Sequence, residues 1–251
     1  MPKALPLFLA FPLALFAGAA LAKPDAYVTG KIEADDFQGI YQAPGGADPK
    51  VEIWIGADRA SRRQAGTTVI LRLDQKRLYR IDSARRIYVA QELQNRGSLW
   101  EPVPKKKDVM TLDAEAQEMM RPHFTLVSSA PEMRKIGSWQ AKRYEGKLES
   151  QLESFRTRLI WWLAPEVKID DRAYRQLLLV ETPALAPLLE NPGFPVLCES
   201  FAQQPGYEVK SSLAIQKIET REPPADVYDP PAGYRLVELL EFQTLPSGNP
   251  E

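Results

Sequence analysis

The chain of 251 residues contains one cysteine, Cys198, and one histidine, His123. A lone thiol excludes an intramolecular disulfide, and one of each residue cannot make a zinc finger, a two-histidine zinc site or an iron–sulfur cluster held by this chain alone. An excess of one charge is also missing. Lys plus Arg number 32 against 33 for Asp plus Glu, so no long-range field gathers nucleic acid or an acidic substrate. A phosphate-binding loop is absent too, because Pro44-Gly45-Gly46-Ala47 lacks the G-x-x-x-x-G-K-[ST] spacing. No apolar run beyond residue 22 approaches the roughly 20 residues that span a bilayer, so no stable membrane insertion is expected. What is present is a composition 44% hydrophobic and 26% charged, that of an ordinary folded protein.

The amino-terminal segment reads as an address. Lys3 precedes an apolar run from Leu5 to Ala22, broken by Pro6 and Pro12 and ending in Ala20-Leu21-Ala22 before Lys23. Basic start, short apolar middle and an A-x-A ending are the parts of a cleaved signal peptide. The two prolines argue against a spanning anchor, and a lipoprotein would need Cys where Lys23 stands. The expectation is a signal peptide over 1–22 and one periplasmic domain over 23–251.

Within that domain the apolar pattern is mostly of period two. Val51, Ile53 and Ile55 alternate with Glu52 and Trp54, and Val69 and Leu71 with Ile70 and Arg72, as in strands with one core face. Further β-prone runs are Tyr27–Glu33, Leu78–Ile81, Ile87–Ala90, Phe124–Val127, Gln140–Leu148, Phe155–Leu163, Pro195–Phe201 and Tyr207–Ile218. About ten antiparallel strands follow. Two segments have helical spacing: Thr111–Arg121, stopped by Pro122, and a second from a cap at Asp170 or Asp171 to Thr182, with a further turn over Ala184–Glu190 before Pro192-Gly193. Mainly β with some α is the fold class. Ala43–Pro49 and Pro102–Pro104 read as loops.

Chemical motifs are thin. Cys198 lies in an expected strand far in sequence from His123, with no hydrolase signature near either, so a buried inert thiol is expected and no catalytic residue is assigned. Asp35-Asp36 and Asp170-Asp171 lack a spaced carboxylate loop, so no metal and no cofactor is assigned. Lys105-Lys106-Lys107 reads as a solvated loop. Arg72 and Asp74 share a strand face and read as an ion pair, and Pro230-Pro231-Ala232-Gly233-Tyr234 as a rigid turn that directs Tyr234 onto the sheet.

Val51-Glu-Ile-Trp-Ile-Gly, Thr68-Val-Ile-Leu-Arg-Leu-Asp74, Leu159-Ile-Trp-Trp-Leu-Ala164, Pro192-Gly-Phe-Pro-Val196 and Val227-Tyr-Asp-Pro-Pro-Ala-Gly-Tyr234 occur in an order that resembles a family of exported bacterial proteins known as a domain of unknown function. The resemblance covers most of residues 27–236. That family is similar in turn to the lipoprotein carriers LolA and LolB and the stress sensor RseB. The resemblance implies an incomplete antiparallel β-barrel (half-barrel) covered by helices, with an apolar cavity that accepts lipid chains.

Five tryptophans, Trp54, Trp100, Trp139, Trp161 and Trp162, either fill the core, the more common role, or line such a cavity. Trp161 and Trp162, being adjacent in a strand, must point to opposite faces. The candidate ligand cavity takes in Trp54, Trp139, Trp161, Trp162, Leu177 and Leu178. Two functions are open: a non-enzymatic periplasmic carrier or sensor of a lipid, a lipoprotein acyl chain or another apolar ligand, and a structural protein whose barrel fills itself and whose edge engages an envelope protein.

Overall fold

The computed structural model describes residues 24–34, 50–97, 99–103, 123–128, 132–149, 156–204 and 207–244. The expected signal peptide, the Ala43–Pro49 loop, Asp35-Asp36, the three lysines and the expected helix over 111–121 lie outside the described residues.

The strands are β1 (Asp25–Ala34), β2 (Lys50–Ile55), β3 (Arg59–Gln64), β4 (Thr67–Arg72), β5 (Arg77–Asp82), β6 (Ile87–Arg96), β7 (Leu99–Pro102), β8 (His123–Ser128), β9 (Met133–Ile136), β10 (Trp139–Glu149), β11 (Arg156–Ala164), β12 (Phe194–Gln204), β13 (Tyr207–Arg221) and β14 (Arg235–Leu236). Between β11 and β12 come α1 (Arg172–Glu181), a 3-10 turn (Pro183–Leu185) and α2 (Ala186–Leu189), and α3 (Leu239–Thr244) closes the described chain. All fourteen strands form one open sheet in the order β14-β6-β5-β4-β3-β2-β1-β13-β12-β11-β10-β8, with β7 beside β6 and β9 beside β10. Pairing is antiparallel except between β14 and β6.

The sheet therefore has more strands than the ten expected. β3 reads Arg-Ala-Ser-Arg-Arg-Gln and carries no apolar alternation, yet it pairs along its whole length with β4 and over Ala60–Gln64 with β2. Its inward positions are Ala60, buried in the core, and Arg62, which a helix carboxylate neutralises. β7, β9 and β14 are only four, four and two residues long, too short for a periodic signal.

Both faces of the β1–β6 half are covered, which is why Thr68, Val69, Ile70 and Leu71 are buried in succession. On the helix face, Val28, Ile53, Val69, Leu71 and Leu78 join Tyr174 and Leu177 of α1 in the main core. On the opposite face the chain after β13 returns as a strap, residues 222–238, whose Val227, Tyr228 and Tyr234 pack with Trp54, Ile70 and Ile81. Arg72 fastens this strap. Its guanidinium lies 2.7 Å from Asp74 and 2.8 Å from Asp229; β4 ends at Arg72, so Asp74 stands in the following turn and not on the strand as expected, and the pair has a third member. Gly233, at φ +79°, makes the turn that brings Tyr234 to the sheet.

Both ends of the open sheet meet one helical segment. α1 packs on β3, β4 and β7, while α2 and the 3-10 turn pack on β8. Asp170 and Asp171 precede α1 as expected, but their carboxylates bind the side chains of Arg172 and Arg175 at 2.8 and 2.9 Å. Among the described residues no helix is long and apolar enough to cross a membrane.

Candidate functional site

A groove of about 500 Å3 opens on the helix face between β1, β10–β13 and the 3-10 turn. Strand register builds it. Ile32 pairs with Leu213, Leu213 with Cys198, Cys198 with Trp161, and Trp161 with Tyr144, so one cross-strand row is apolar over five strands. In the next row Ser211 pairs with Ser200, Ser200 with Leu159, and Leu159 with Gly146. The groove is thus greasy along its floor and carries hydroxyls along one side. Thr182 and Leu185 roof it from the helical segment.

Gly146 is required by close approach. A Cβ there would lie 2.1 Å from Cζ of Phe124 on β8, so the ring occupies the space the glycine leaves. At the carboxyl end of α1, Arg62 Nη2 lies 2.8 Å from Glu181 Oε2, and Arg80 Nη1 lies 3.5 Å from Oε1. A carboxylate held between two guanidiniums fixes where the helix meets β3 and β5.

The six expected cavity residues are not brought to one place. Trp161 lines the groove and packs with Tyr144, Leu185 and Leu188. Trp162, which strand alternation sets on the opposite side of β11 from Trp161, is buried in the main core with Ile160 and Ala164 instead of lining the groove, and Arg134 sits 5.7 Å above its ring. Trp139 is half-buried against that same core. Leu177 is fully buried in the main core, and Leu178 packs against both helix-face clusters. Trp54 lies beneath the strap, across the sheet from α1. The groove residues not singled out from the sequence, Ile32, Leu159, Leu185 and Leu213, carry no individual signal, since only the pairing register aligns them.

Cys198 faces the groove and is half-buried there, not fully buried as expected, and its desolvation raises its thiol above the usual range. It is therefore a protonated, weakly nucleophilic group at neutral pH. His123 lies three strands and about five residues away, roughly 20 Å by sheet spacings. Replacing His123 by Gln and Cys198 by Ala should leave whatever function the protein has intact, since the two are not brought together. Loss of a measured activity in H123Q with the fold intact would restore a chemical role. Among the described residues no three His, Cys, Asp or Glu side chains gather as metal ligands. No protein-family model matches this chain, and no curated protein matches it.

Proposed function

We propose that the protein is a non-enzymatic periplasmic carrier or sensor that shields an acyl chain or another apolar ligand in the groove over Trp161. The observation that carries this reading is the apolar row Ile32–Leu213–Cys198–Trp161 beneath Leu185 in a groove of about 500 Å3. Its mechanism is burial: apolar area removed from water favours binding without any bond being made. On this reading the open sheet curls around the groove as a half-barrel. In a flat sheet β7 and β8 would stand roughly 50 Å apart, whereas the helical segment that touches both, residues 172–189, is roughly 30 Å long through its α, 3-10 and extended parts. A curl of the sheet around that segment reconciles the two lengths. Export through residues 1–22 would deliver the domain to the compartment where lipid chains need a soluble carrier.

A fluorescent fatty-acyl probe tests the reading. Burial of about 300 Å2 of apolar area at about 25 cal/mol per Å2 supplies roughly 7.5 kcal/mol before association costs, so a Kd in the micromolar range is the upper expectation. Trp161→Ala should weaken the probe at least tenfold, and Trp162→Ala should not, both measured well below their melting temperatures. Absence of probe binding to the folded protein, or equal loss in both variants, defeats the proposal.

One observation favours the second reading, an envelope interaction protein. The edge strands expose Leu126 and Val127 on β8, Met133 on β9 and Leu236 on β14. An open apolar edge is a template for strand addition. Copurification of a partner lost on Val127→Lys, with no lipid retained in native mass spectrometry, would put this reading first.

A further inference from the structure

A second cavity, of about 450 Å3, lies on the opposite side of the sheet, between the strap and β1–β5. Two registered rows make its floor. The first runs Tyr27–Trp54–Ser61–Ile70 and the second Glu52–Arg63–Thr68–Ile81. Aromatic rings, aliphatic side chains and hydroxyls therefore sit side by side. Tyr27 and Trp54 stand 4.5 Å apart between ring centroids, and Arg221 lies 4.8 Å above Tyr27. From the strap, Tyr234 and the rigid Pro224 and Pro231 form the facing wall. The hydroxyl residues Ser61 and Thr68 are buried at 3% and 7% exposure and line the floor.

The chemistry of this lining selects a ligand class. Arg63 and Arg221 face Glu52, Asp226 and Asp229 around the cleft, so cations and anions nearly balance. A phosphate or nucleotide would meet as much repulsion as attraction. A plain acyl chain would desolvate hydroxyls and charges without returning hydrogen bonds. A sugar fits both demands: each hydroxyl both donates and accepts, and its C–H face packs against the Pro224, Pro231 and Tyr234 wall, since Arg221 already lies over Tyr27 and Trp54. The volume falls in the range of small-molecule sites, about 300–1,000 Å3.

We infer that the cleft between the strap and β1–β5 is a second binding site, for a neutral mono- or disaccharide unit, independent of the groove on the helix face. It does not depend on the carrier reading, because the two cavities share no lining residue.

Isothermal titration of the full chain with cellobiose, maltose and diacetylchitobiose tests it. At least one should bind with a Kd of about 1 mM or tighter. Ser61→Leu, which fills the floor from β3, should weaken it at least tenfold, and Trp161→Ala should leave it unchanged. If Ser61→Leu fails to fold, Arg63→Ala, at a side chain 64% exposed, takes its place with an expected loss of at least threefold. No binding of any of the three sugars at 10-fold this concentration overturns the inference. So does binding that survives both cleft variants, or that is lost only in Trp161→Ala. Displacement of the bound sugar by an acyl probe or by a proline-rich peptide would assign the cleft to another ligand class and also overturn it.

Discussion

Replacing Arg175 with alanine should lower the unfolding free energy by about 3 kcal/mol, because one guanidinium holds the helical segment together. Its Nη1 donates to the carbonyls of Leu189 and, at 3.2 Å, Asn191, its Nη2 to Gly193 at 2.6 Å, and its Nε to Asp171 at 2.9 Å. Those carbonyls belong to the end of α2 and the turn into β12, where no helix hydrogen bond is available to them. Hydrogen bonds to a charged group are each worth about 1.5–3 kcal/mol net and do not add fully, which sets the figure. In a chain of this size the melting temperature should fall by roughly 10 °C. Arg175→Lys keeps the charge beside Asp171 but loses the planar fork that reaches three carbonyls, so it should recover less than half of the loss. Urea unfolding of the three proteins decides this, and a lysine variant as stable as wild type would refute the fork argument. The groove should suffer with the helix, since Thr182 and Leu185 form its roof.

Much of this frame is legible in the sequence, and what is not has a physical cause. Strands with apolar alternation, such as β2 and β4, declare themselves because one face is always core. β3 does not, since its inward Arg62 is made tolerable only by Glu181, 119 positions later. The second covered face was not legible either. Trp54 and Ile70 read as the outward partners of Val51–Ile55 and Val69–Leu71, and nothing local announces that residues 222–238 come back to cover them. For the site, adjacency alone separates Trp161 from Trp162, but it does not say which one faces the groove. That follows from Cys198, Leu213 and Ile32 standing in register with Trp161, a long-range relation set by sheet order. Aromatic type is a weak guide for the same reason: a tryptophan fills a core as well as it lines a cavity, and Trp139 and Trp162 do the former.

Tyr228→Phe should free the strap while leaving the sheet folded. The Tyr228 hydroxyl donates to Asp25 Oδ2 at 2.7 Å, a buried bond between residues 203 positions apart. Arg59 lies 3.5 Å from the same carboxylate and 4.5 Å above the Tyr228 ring. Burial, and then the bond to Asp25, push the phenol well above its usual range, so it is a donor at neutral pH. Phenylalanine keeps the ring and its contact with Arg59 and removes only the hydroxyl, leaving a nearly buried carboxylate one donor short. The cost should be about 2 kcal/mol, the mid-range for a hydrogen bond to a charged group. The Arg72–Asp229 pair should contribute less, because Asp229 is half-exposed and solvent screens it. The amides of Arg235 and Val237, which donate to Arg86 and Tyr88 at 2.9 Å, report strap opening directly. Their hydrogen exchange should quicken roughly thirtyfold, the equivalent of 2 kcal/mol, while amides of β11 and β12 keep their protection. Unchanged exchange at Arg235 and Val237 would show that apolar packing of Val227 and Tyr234 holds the strap without the buried bond, and exchange quickened equally in β11 would show that strap and sheet open as one unit.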